Sequence, residues 1–401
     1  MTDLTTALIH HPYQPPTGFA APQPGVFKAS TVFFPSVSAM REFDWKDKSA
    51  YTYGLHGTPT TYTLEERLCA LEGGQQCLLV PSGLAAIATV ALALLHAGDE
   101  VLIPDNAYGP SKALAEGELK HWGISHRYFD PMRPADLAAK ITAKTKLVWL
   151  EAAGSVTLEF PDLCEQVRIC KAAGVYCALD NTWGAGLAFA PFDLMPGTQP
   201  ALSVDISIHA LTKYPSGGGD VLMGSVITQN EALHMLLKLC HMRLGLGVGA
   251  NDAELVLRSL PSMALRYRAH DASTRELALW CTQRPEFAQV LHPALPDSPG
   301  HAHWKALCGN DMGSAAGLFS VIFKPEFSQA QVDDFCNALQ LFKIGYSWGG
   351  PISLVVPYEL ASMRQHWPSH LEQGTLVRFS IGLESSADLQ ADLARALSFM
   401  C

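Results

Sequence analysis

Three segments of the chain contain residues that could bind and activate a charged small molecule. The segment SIHALTKYPSGGGD, residues 207–220, places Lys213 after an apolar run and before three glycines. An amine that enters from an apolar strand end is partly removed from water, which lowers its pKa and makes the free amine a nucleophile. A lysine that lies along apolar surface and reaches solvent with its amine produces the same pattern. This segment alone therefore allows both interpretations.

The other two segments each place a polar group at the end of an apolar run. CALDNTW contains Asp180, a carboxylate that by itself also fits a helix cap or a turn. VPSGLAA contains Ser82 and Gly83 at a predicted strand-to-helix turn. Backbone N–H groups and the helix dipole at such a turn favour an anion such as phosphate, although every α/β protein has similar turns. Each segment is a weak signal when it is taken alone.

The combination of the three segments predicts a site for pyridoxal phosphate. This cofactor requires a lysine for covalent attachment, an anion that keeps its pyridine nitrogen protonated, and amides for its phosphate. Lys213, Asp180 and the turn at Ser82 supply these three groups. The protonated ring accepts the electrons that are left when a bond at the substrate Cα breaks, so the carboxylate is as important as the amine.

Strands and helices alternate in the part of the chain that carries these segments. Short apolar runs and helical segments of ten or more residues follow one another from residue 61 to about residue 255. This alternation predicts a mostly parallel sheet that is covered by helices on both faces. Substrates of such sheets bind beyond the carboxyl ends of the strands. We therefore expect the three segments to meet at that edge.

Three regions of different composition predict the domain organisation. Residues 1–60 are rich in Pro, Gly, Thr and Tyr and predict an arm with turns, residues 61–255 predict the α/β domain that binds the cofactor, and residues 256–401 predict a smaller α+β domain. A long amphipathic helix is expected over about 251–280. Further elements expected in the last region are strands near 317–323 and 375–381 and a closing helix over 386–398.

Composition narrows the class of protein. The chain has 401 residues, of which 48% are hydrophobic, so it can bury a large core. The net charge of −10 and the lack of clustered Lys and Arg argue against nucleic-acid binding, and we predict a small-molecule partner instead. The longest apolar stretches, such as residues 84–95, are too short to span a membrane, and the N-terminus has no secretion signal. We predict a cytoplasmic protein without a membrane segment.

Cysteine and histidine spacing does not favour a metal site. The ten cysteines are scattered without a CxxC pair, and Cys164, Cys170 and Cys177 fall where a helix passes into a strand. These positions favour buried thiols over disulfides or metal ligands. His301 and His303 have no evident third ligand. We therefore predict no bound metal.

Several motifs in register resemble the Cys/Met-metabolism family of fold-type I pyridoxal-phosphate enzymes. The motifs are YGLHGTPTTYTLEERLCALEGG, LDNTWGAG, TKYPSGGGDVLMG, HPALPDSPGHAHWK, YSWGG and TLVRFSIGLE. The resemblance covers about residues 25–398 and is strongest to bacterial cystathionine β-lyases. It implies a mostly parallel central sheet with helices on both faces and a smaller C-terminal α+β domain.

The resemblance also implies roles for residues around the cofactor. Lys213 matches the lysine that attaches the cofactor and then acts as general base at Cα, and Asp180 matches the partner of the pyridine nitrogen. Tyr108 matches an aromatic residue that stacks on the ring and helps in proton transfer. The residues implied at the phosphate are Ser82, Gly83, Leu84 and Thr212. Arg378 matches the arginine that binds the substrate α-carboxylate, and Ser347 and Trp348 match residues beside it.

Tyr53 matches a tyrosine that reaches the cofactor phosphate of a neighbouring subunit, which implies a homo-oligomer, a dimer or a dimer of dimers. Two other features depart from the family pattern, one at Leu55 and one at the glycines after Lys213. Leu55 stands where the family has an arginine, and the neighbouring His56 would point the other way on an extended chain. The segment GGGD, residues 217–220, stands where family members often have GHSD, and its glycines Gly217, Gly218 and Gly219 are expected to permit positive φ. These departures leave Lys213 and Asp180 intact.

The implied reaction is a β-elimination of L-cystathionine to homocysteine, pyruvate and ammonia. Elimination or replacement at the γ carbon, as in other family members, is the alternative, because nothing in the sequence excludes a second proton removal at Cβ. A nucleotide-dependent oxidoreductase would need a GxGxxG turn, which PSGLAA lacks. A non-catalytic binding protein with the same fold is the remaining alternative, given Leu55.

Overall fold

A seven-stranded sheet forms the centre of the computed structural model, which describes residues 3–13, 15–46, 48–309 and 311–400. The sheet order is β1-β7-β6-β5-β4-β2-β3, and β7 alone runs antiparallel to its neighbours. The mostly parallel sheet is therefore confirmed, whereas the reversed strand was not predicted. The strands are β1 (Gln76–Val80), β2 (Glu100–Pro104), β3 (Ser125–Phe129), β4 (Thr145–Glu151), β5 (Tyr176–Asp180), β6 (Ile206–Ala210) and β7 (Gly224–Thr228).

Helices cover both faces of this sheet because its strands are apolar on both sides. Val101 and Leu102 are consecutive in β2, and each belongs to a different hydrophobic core. Side chains of consecutive strand residues point to opposite faces, so the sheet lies between two cores. The helices of this part are α1 (Leu4–Ile9), α2 (Val37–Glu42), α3 (Pro59–Glu72), α4 (Gly83–Leu94), α5 (Gly109–Leu114), α6 (Pro134–Lys140) and α7 (Leu163–Ala173). A π-helical turn, Ala115–Leu119, extends α5.

A second sheet of five strands lies in the C-terminal part. Its order is β10-β11-β12-β9-β8, and only the pair β10 and β11 is parallel. The strands are β8 (Phe287–Leu291), β9 (Leu318–Phe323), β10 (Lys343–Ile344), β11 (Leu354–Tyr358) and β12 (Leu376–Ser380). Helices α8 (Glu231–Leu244) and α9 (Ala250–Ser259) still pack against the first sheet region. The helices that follow are α10 (Met263–Cys281), α11 (His301–Cys308), α12 (Gln329–Ala338), α13 (Leu360–Met363) and α14 (Ser386–Leu397).

The prediction of a single long helix over about 251–280 is wrong. The structure has two helices, α9 and α10, separated by the 3₁₀ turn Leu260–Ser262. Pro261 lies in this turn, and a proline ring removes a backbone donor and clashes with a preceding helical turn. The expected domain boundary between residues 255 and 256 falls within α9. The position of the boundary remains a prediction.

A buried ion-pair cluster joins the two sheet regions. Glu159 is fully buried and accepts hydrogen bonds from Arg364 at 2.9 Å and from His370 at 2.5 Å. Asn106 and Thr157 each donate to the same carboxylate at 2.8 Å. Because Arg364 directly follows α13, this cluster ties the end of that helix to the loop after β4.

The described cysteines and histidines form neither disulfides nor a metal site. Nine cysteines are free thiols, and Cys401 lies outside the described residues. His301 and His303 lie on α11, where side chains two residues apart do not share a face, and no group of metal-ligating side chains occurs among the described residues.

Within the described ranges no helix has both the length and the apolar character needed to cross a membrane.

Candidate active site

A cavity of about 630 Å³ lies at the carboxyl ends of the parallel strands. It is lined by residues that follow β1, β2, β4, β5 and β6 and by residues of the second sheet region. All of the predicted site residues except Tyr53 line this cavity. They are Ser82, Gly83, Leu84, Tyr108, Asp180, Thr212, Lys213, Ser347, Trp348 and Arg378.

The amine of Lys213 projects into the cavity from the turn after β6. Its Nζ donates a hydrogen bond to Ser347 Oγ at 2.6 Å and lies 5.1 Å from the centre of the Trp348 ring. Burial and the positive charge of Arg378 lower the pKa of this amine to about 8. About a tenth of the amine is therefore unprotonated at pH 7, far more than for an ordinary lysine, and this unprotonated form is the one that acts as a nucleophile or general base.

Ser347 meets the lysine from a loop in an unusual backbone conformation. Its φ is 86°, in the left-handed region that costs a non-glycine residue free energy. On the facing loop, Gly217 and Gly219 have φ of 67° and 74°, as expected for two of the three glycines. The conformation at Ser347 aims its hydroxyl at Lys213, so a locally unfavourable backbone serves the geometry of the site.

Asp180 ends β5 at the floor of the cavity. Its carboxylate accepts hydrogen bonds from the backbone N–H of Thr182 at 3.0 Å and from the Thr182 hydroxyl at 2.5 Å. Burial raises the pKa of Asp180, and the bonds from Thr182 oppose this shift. A positively charged ligand atom beside this carboxylate would restore its charge.

A second carboxyl group, Glu151, lies beside Asp180 and was missed in the sequence. It accepts hydrogen bonds from the Tyr108 N–H at 2.7 Å and from the Ser155 hydroxyl at 3.0 Å. Burial and the charge of Asp180 raise the pKa of Glu151 to about 8. The available signal was its position at the end of the apolar run KLVWLE, the same signal that identified Asp180.

The turn from β1 into α4 offers amides to an anion. Ser82 Oγ accepts a hydrogen bond from the Ala85 N–H at 3.0 Å. The N–H groups of Gly83 and Leu84 lie in the first helical turn, where no intrahelical acceptor is available. A Cβ on Gly83 would lie 2.6 Å from the Cβ of Ala210, so only glycine allows this close approach to β6. Thr212 lies nearby on the cavity wall, with its Oγ1 3.4 Å from Met223 O.

Arg378 reaches the cavity from β12 of the second sheet. Its Nη2 donates to Ser347 O at 3.2 Å, and its guanidinium lies 5.5 Å from the centre of the Tyr358 ring. Although the residue is buried, its Nε has no hydrogen-bond partner within the described part of the chain. A buried guanidinium with an open donor is suited to a carboxylate ligand.

Tyr108 is the first residue of the turn that starts α5. The residue is 43% exposed. Its partial burial and the negative charges of Asp180 and Glu151 raise the pKa of its hydroxyl. The hydroxyl is therefore protonated at neutral pH and can donate a proton.

Tyr53 lies outside this cavity. It forms an isolated bridge with Thr31, and its side chain is 47% exposed. Its predicted contact with a neighbouring subunit remains a prediction. We expected an extended chain at this position, but the structure has a turn, because the His56 N–H donates a hydrogen bond to Tyr53 O at 2.9 Å.

Neither Leu55 nor His56 supplies a positive charge in place of an arginine. Leu55 packs closely against Gly247, since a Cβ on that glycine would lie 3.2 Å from the leucine Cδ1. The His56 ring stacks on Trp45 with the ring centres 4.8 Å apart. Burial and the nearby Lys238 lower the pKa of His56, so it is neutral at neutral pH.

The cavity thus fits the cofactor that the sequence predicted. It combines an amine of lowered pKa, a carboxylate on a neighbouring strand end and a helix N-terminus with open amides. These are the groups needed by an aldehyde, a pyridine nitrogen and a phosphate. The guanidinium of Arg378 remains for an acidic ligand in the same cavity.

Comparisons with known proteins agree with this interpretation. The family described as Cys/Met metabolism PLP-dependent enzyme matches residues 5–398. The chain is 39% identical to a cystathionine beta-lyase from Bordetella avium over 96% of this chain and 94% of that protein. It is 34% identical to the Escherichia coli (strain K12) cystathionine beta-lyase over 91% of both. A crystal structure of cystathionine gamma synthase from Xanthomonas oryzae pv. oryzae is similar with a TM-score of 0.86 and 28% identity, over 100% of this chain and 99% of that one.

Proposed function

The chain belongs to the Cys/Met metabolism PLP-dependent enzyme family, and we propose that it catalyses the β-elimination of L-cystathionine to homocysteine, pyruvate and ammonia. Relatives named cystathionine beta-lyase support this choice within the family. The observation that carries the proposal is the single cavity that contains both an amine of lowered pKa and a buried guanidinium with an open donor.

Seven residues of this chain would hold the cofactor. Lys213 would attach it covalently, Asp180 would face its ring nitrogen, and the amides of Gly83 and Leu84 would bind its phosphate, with the Ser82 and Thr212 hydroxyls beside them. Tyr108 would lie against the ring. When it is bound, pyridoxal phosphate supplies an electron-accepting ring that stabilises the charge left at the substrate Cα.

Side chains of this chain would bind the substrate and transfer the protons. Arg378 binds the substrate α-carboxylate with its planar pair of donors and so orients Cα. The Lys213 amine, held 2.6 Å from Ser347, removes the proton from Cα as a general base. The protonated Tyr108 hydroxyl gives a proton to the sulfur as the bond between Cβ and sulfur breaks. Water then enters the overall balance, since pyruvate and ammonia form by hydrolysis.

The test of this proposal is a product assay. Holoenzyme is incubated with L-cystathionine, and pyruvate is measured against 2-oxobutyrate. Pyruvate with homocysteine is expected, whereas 2-oxobutyrate would indicate cleavage at the γ carbon, the activity class suggested by the similar gamma synthase. The Lys213→Ala variant, checked for native circular dichroism, should lack both product formation and the violet absorbance of the attached cofactor. A variant that keeps both would contradict the assigned role of Lys213.

We further propose that the enzyme works as a homodimer or a dimer of dimers in the cytoplasm, with Tyr53 reaching the site of a neighbouring subunit. The N-terminal arm exposes large apolar side chains, including Phe33 at 92% and Met40 at 50% exposure, which is typical of a surface covered by a partner. Light scattering of the wild type and of Phe33→Asp tests this proposal. A monomeric wild type with full activity would contradict it.

A further inference from the structure

The two sheet regions meet at one wall of the cavity, and each contributes a group on which the proposed reaction depends. Tyr108, at the start of α5, belongs to the first region, and Arg378, on β12, belongs to the second. Burial raises the pKa of the Tyr108 hydroxyl, and the positive charge of Arg378 opposes this rise, so the two groups lie within electrostatic range. The way the regions are joined here therefore determines where the Tyr108 hydroxyl lies relative to a substrate bound by Arg378.

Lys112 joins the two regions behind this wall. It lies in α5, four residues after Tyr108, and its Nζ donates a hydrogen bond to Met363 O at 2.6 Å. Met363 ends α13, and its side chain lines the cavity. The Lys112 side chain is only 13% exposed, and Lys112 is not among the described residues that line the cavity. Its amine therefore acts on the wall of the cavity and not on a ligand.

The same amine also holds the chain that leads into Tyr108. Lys112 Nζ donates to Asp105 O at 3.1 Å and lies 3.3 Å from Asp105 Oδ1. Asp105 directly follows β2 and precedes Tyr108 by three residues. In addition, the backbone N–H of Lys112 donates to Tyr108 O at 3.3 Å. Lys112 thus binds the main chain both before Tyr108 and at Tyr108 itself.

Asp105 connects the two regions a second time. Its carboxylate oxygens accept hydrogen bonds from the Gln365 N–H at 3.2 and 3.1 Å. The same carboxylate lies 3.6 Å from Arg364 Nε. Asp105 and Lys112 therefore attach the turn at Tyr108 to three consecutive residues, 363–365, of the second region. Charge-assisted hydrogen bonds of this kind restrict movement between the groups that they join.

Stability alone does not account for a charged amine in this place. Removing an ammonium group from water is costly, and a well-packed apolar side chain often supports stability as well or better. The Lys112 amine donates to two main-chain carbonyls at the cavity wall and also lies 4.4 Å from the centre of the Tyr128 ring. An amine with these partners fixes the position of the main chain on both sides of the wall.

Resting on the proposed β-elimination, we propose that Lys112 is a positioning residue for the departure of sulfur. By tying Met363 to the turn at Tyr108, it holds the Tyr108 hydroxyl where the sulfur of a substrate bound to Arg378 leaves. Displacing a reacting group by about 1 Å is enough to slow a reaction by roughly a hundredfold. Lys112 therefore influences the reaction through Tyr108, without contact to the substrate.

The step that depends on this placement is the cleavage of the bond between Cβ and sulfur. The electron pair of this bond leaves with the sulfur, which takes the proton of the Tyr108 hydroxyl. One proton is removed from Cα and one is delivered to sulfur, so the overall reaction consumes only water. Chloride needs no proton when it departs. β-Chloro-L-alanine therefore gives the same pyruvate and ammonia by a route that omits proton donation to the leaving group.

These two substrates test the proposal when the wild-type holoenzyme is compared with Lys112→Met. We expect kcat for pyruvate release from L-cystathionine to fall by roughly tenfold to a hundredfold, as part of the contribution of a general acid. The kcat for β-chloro-L-alanine should change by less than about twofold, because no proton is donated to chloride. Equal losses for both substrates, or no loss for L-cystathionine, would overturn this inference. A wild type that releases no pyruvate from L-cystathionine would instead overturn the proposed function.

A double-mutant cycle shows whether Lys112 acts through Tyr108. Once the hydroxyl is removed in Tyr108→Phe, adding Lys112→Met should change kcat for L-cystathionine by less than about twofold. Losses that multiply in the double variant would mean that the two residues act independently, which contradicts the proposal.

Lys146→Met is the matched control. Lys146 is exposed, and its Nζ also donates to a main-chain carbonyl, Ala143 O, at 2.9 Å, but it does not line the cavity. Both rates should be unchanged in this variant, and a loss confined to L-cystathionine would contradict the assignment to Lys112. Circular dichroism and the absorbance of the attached cofactor verify the fold of each variant. If Lys112→Met does not retain them, Lys112→Gln, which keeps an uncharged donor, goes through the same comparison.

Discussion

Glu151 and Asp180 are directly paired residues of the adjacent parallel strands β4 and β5, and both carboxyl groups line the cavity floor. Their proximity raises the free energy of ionising both, because two negative charges repel each other in a place with little water. A positively charged ring nitrogen of a ligand, bound in the cavity beside these two strand ends, would relieve this repulsion. The pair therefore favours a positively charged ligand more strongly than Asp180 alone would.

The stability of the apoenzyme should fall as pH rises because of Glu151. Its pKa is raised from the ordinary 4.5 to about 8, so the folded state holds the proton more tightly than the unfolded state. The resulting stability is fully present below pH 4.5 and is lost as pH rises through about 8. Glu151→Gln should flatten this part of the profile of unfolding free energy, measured in urea without cofactor. Glu254→Gln, at an exposed helical ion pair, serves as the control, and an unchanged slope in Glu151→Gln would refute the assignment.

Substrate binding should depend on the shape of Arg378 as well as on its charge. Arg378→Lys keeps the positive charge but loses the planar pair of donors that binds a carboxylate at two points. We expect kcat/KM to fall by roughly tenfold to a hundredfold, mainly through KM, with little change in cofactor absorbance. Steady-state kinetics and absorbance spectra measure the two effects. Loss of the cofactor absorbance together with activity would instead place Arg378 at the cofactor.

Cofactor affinity should increase when the missing guanidinium is restored. If Leu55 approaches the phosphate of a neighbouring subunit, Leu55→Arg adds a charge-assisted contact and should tighten pyridoxal phosphate binding by roughly tenfold. Titration of the apoenzyme measures this affinity. Leu236→Arg, at a residue 46% exposed on α8, controls for added charge. Unchanged affinity in Leu55→Arg would mean that another group already fills the role.

The Glu159 cluster should contribute strongly to stability at neutral pH. Burial opposes ionisation of Glu159, but the hydrogen bond from His370 and the charge of Arg364 outweigh it and lower the pKa to about 2. The stabilisation is therefore present above the ordinary pKa of a glutamate and is lost as pH falls through about 2. Glu159→Gln removes the closest negative charge from the buried Arg364, whose other carboxylate partner, Asp105, lies 3.6 Å away, and should reduce the free energy of unfolding by about 3 kcal/mol at pH 7. Chemical unfolding at pH 7 measures this change, and a loss below 1 kcal/mol would contradict it.

Much of the site could be predicted because strand ends are visible in the sequence. Lys213, Asp180 and Ser82 each follow an apolar run, and parallel strands bring their carboxyl ends to one edge. Glu151 follows an apolar run in the same way, but a single glutamate at that position is equally typical of a surface residue. Arg378 could be assigned only by resemblance, since it arrives from a separate sheet.

The parts of the fold that could not be predicted have physical reasons. A strand buried on both faces is apolar whichever way it runs, so the sequence of β7 does not reveal its reversed direction. The break between α9 and α10, in contrast, has a signal in the sequence, because Pro261 disfavours a helix that continues through it. The turn at Tyr53 depends on a backbone hydrogen bond to His56 that leaves no clear pattern of residue types.

The position of β7 also determines when the central sheet can be completed during synthesis. Within this sheet β1 pairs only with β7, which is formed by residues 224–228, although β1 itself ends at Val80. On the ribosome, the apolar edge of β1 must therefore wait for a strand that emerges much later. Contacts so distant in sequence slow folding and leave apolar surface open to association with other nascent chains. The demand on chaperones should be greatest before residue 228 has left the exit tunnel.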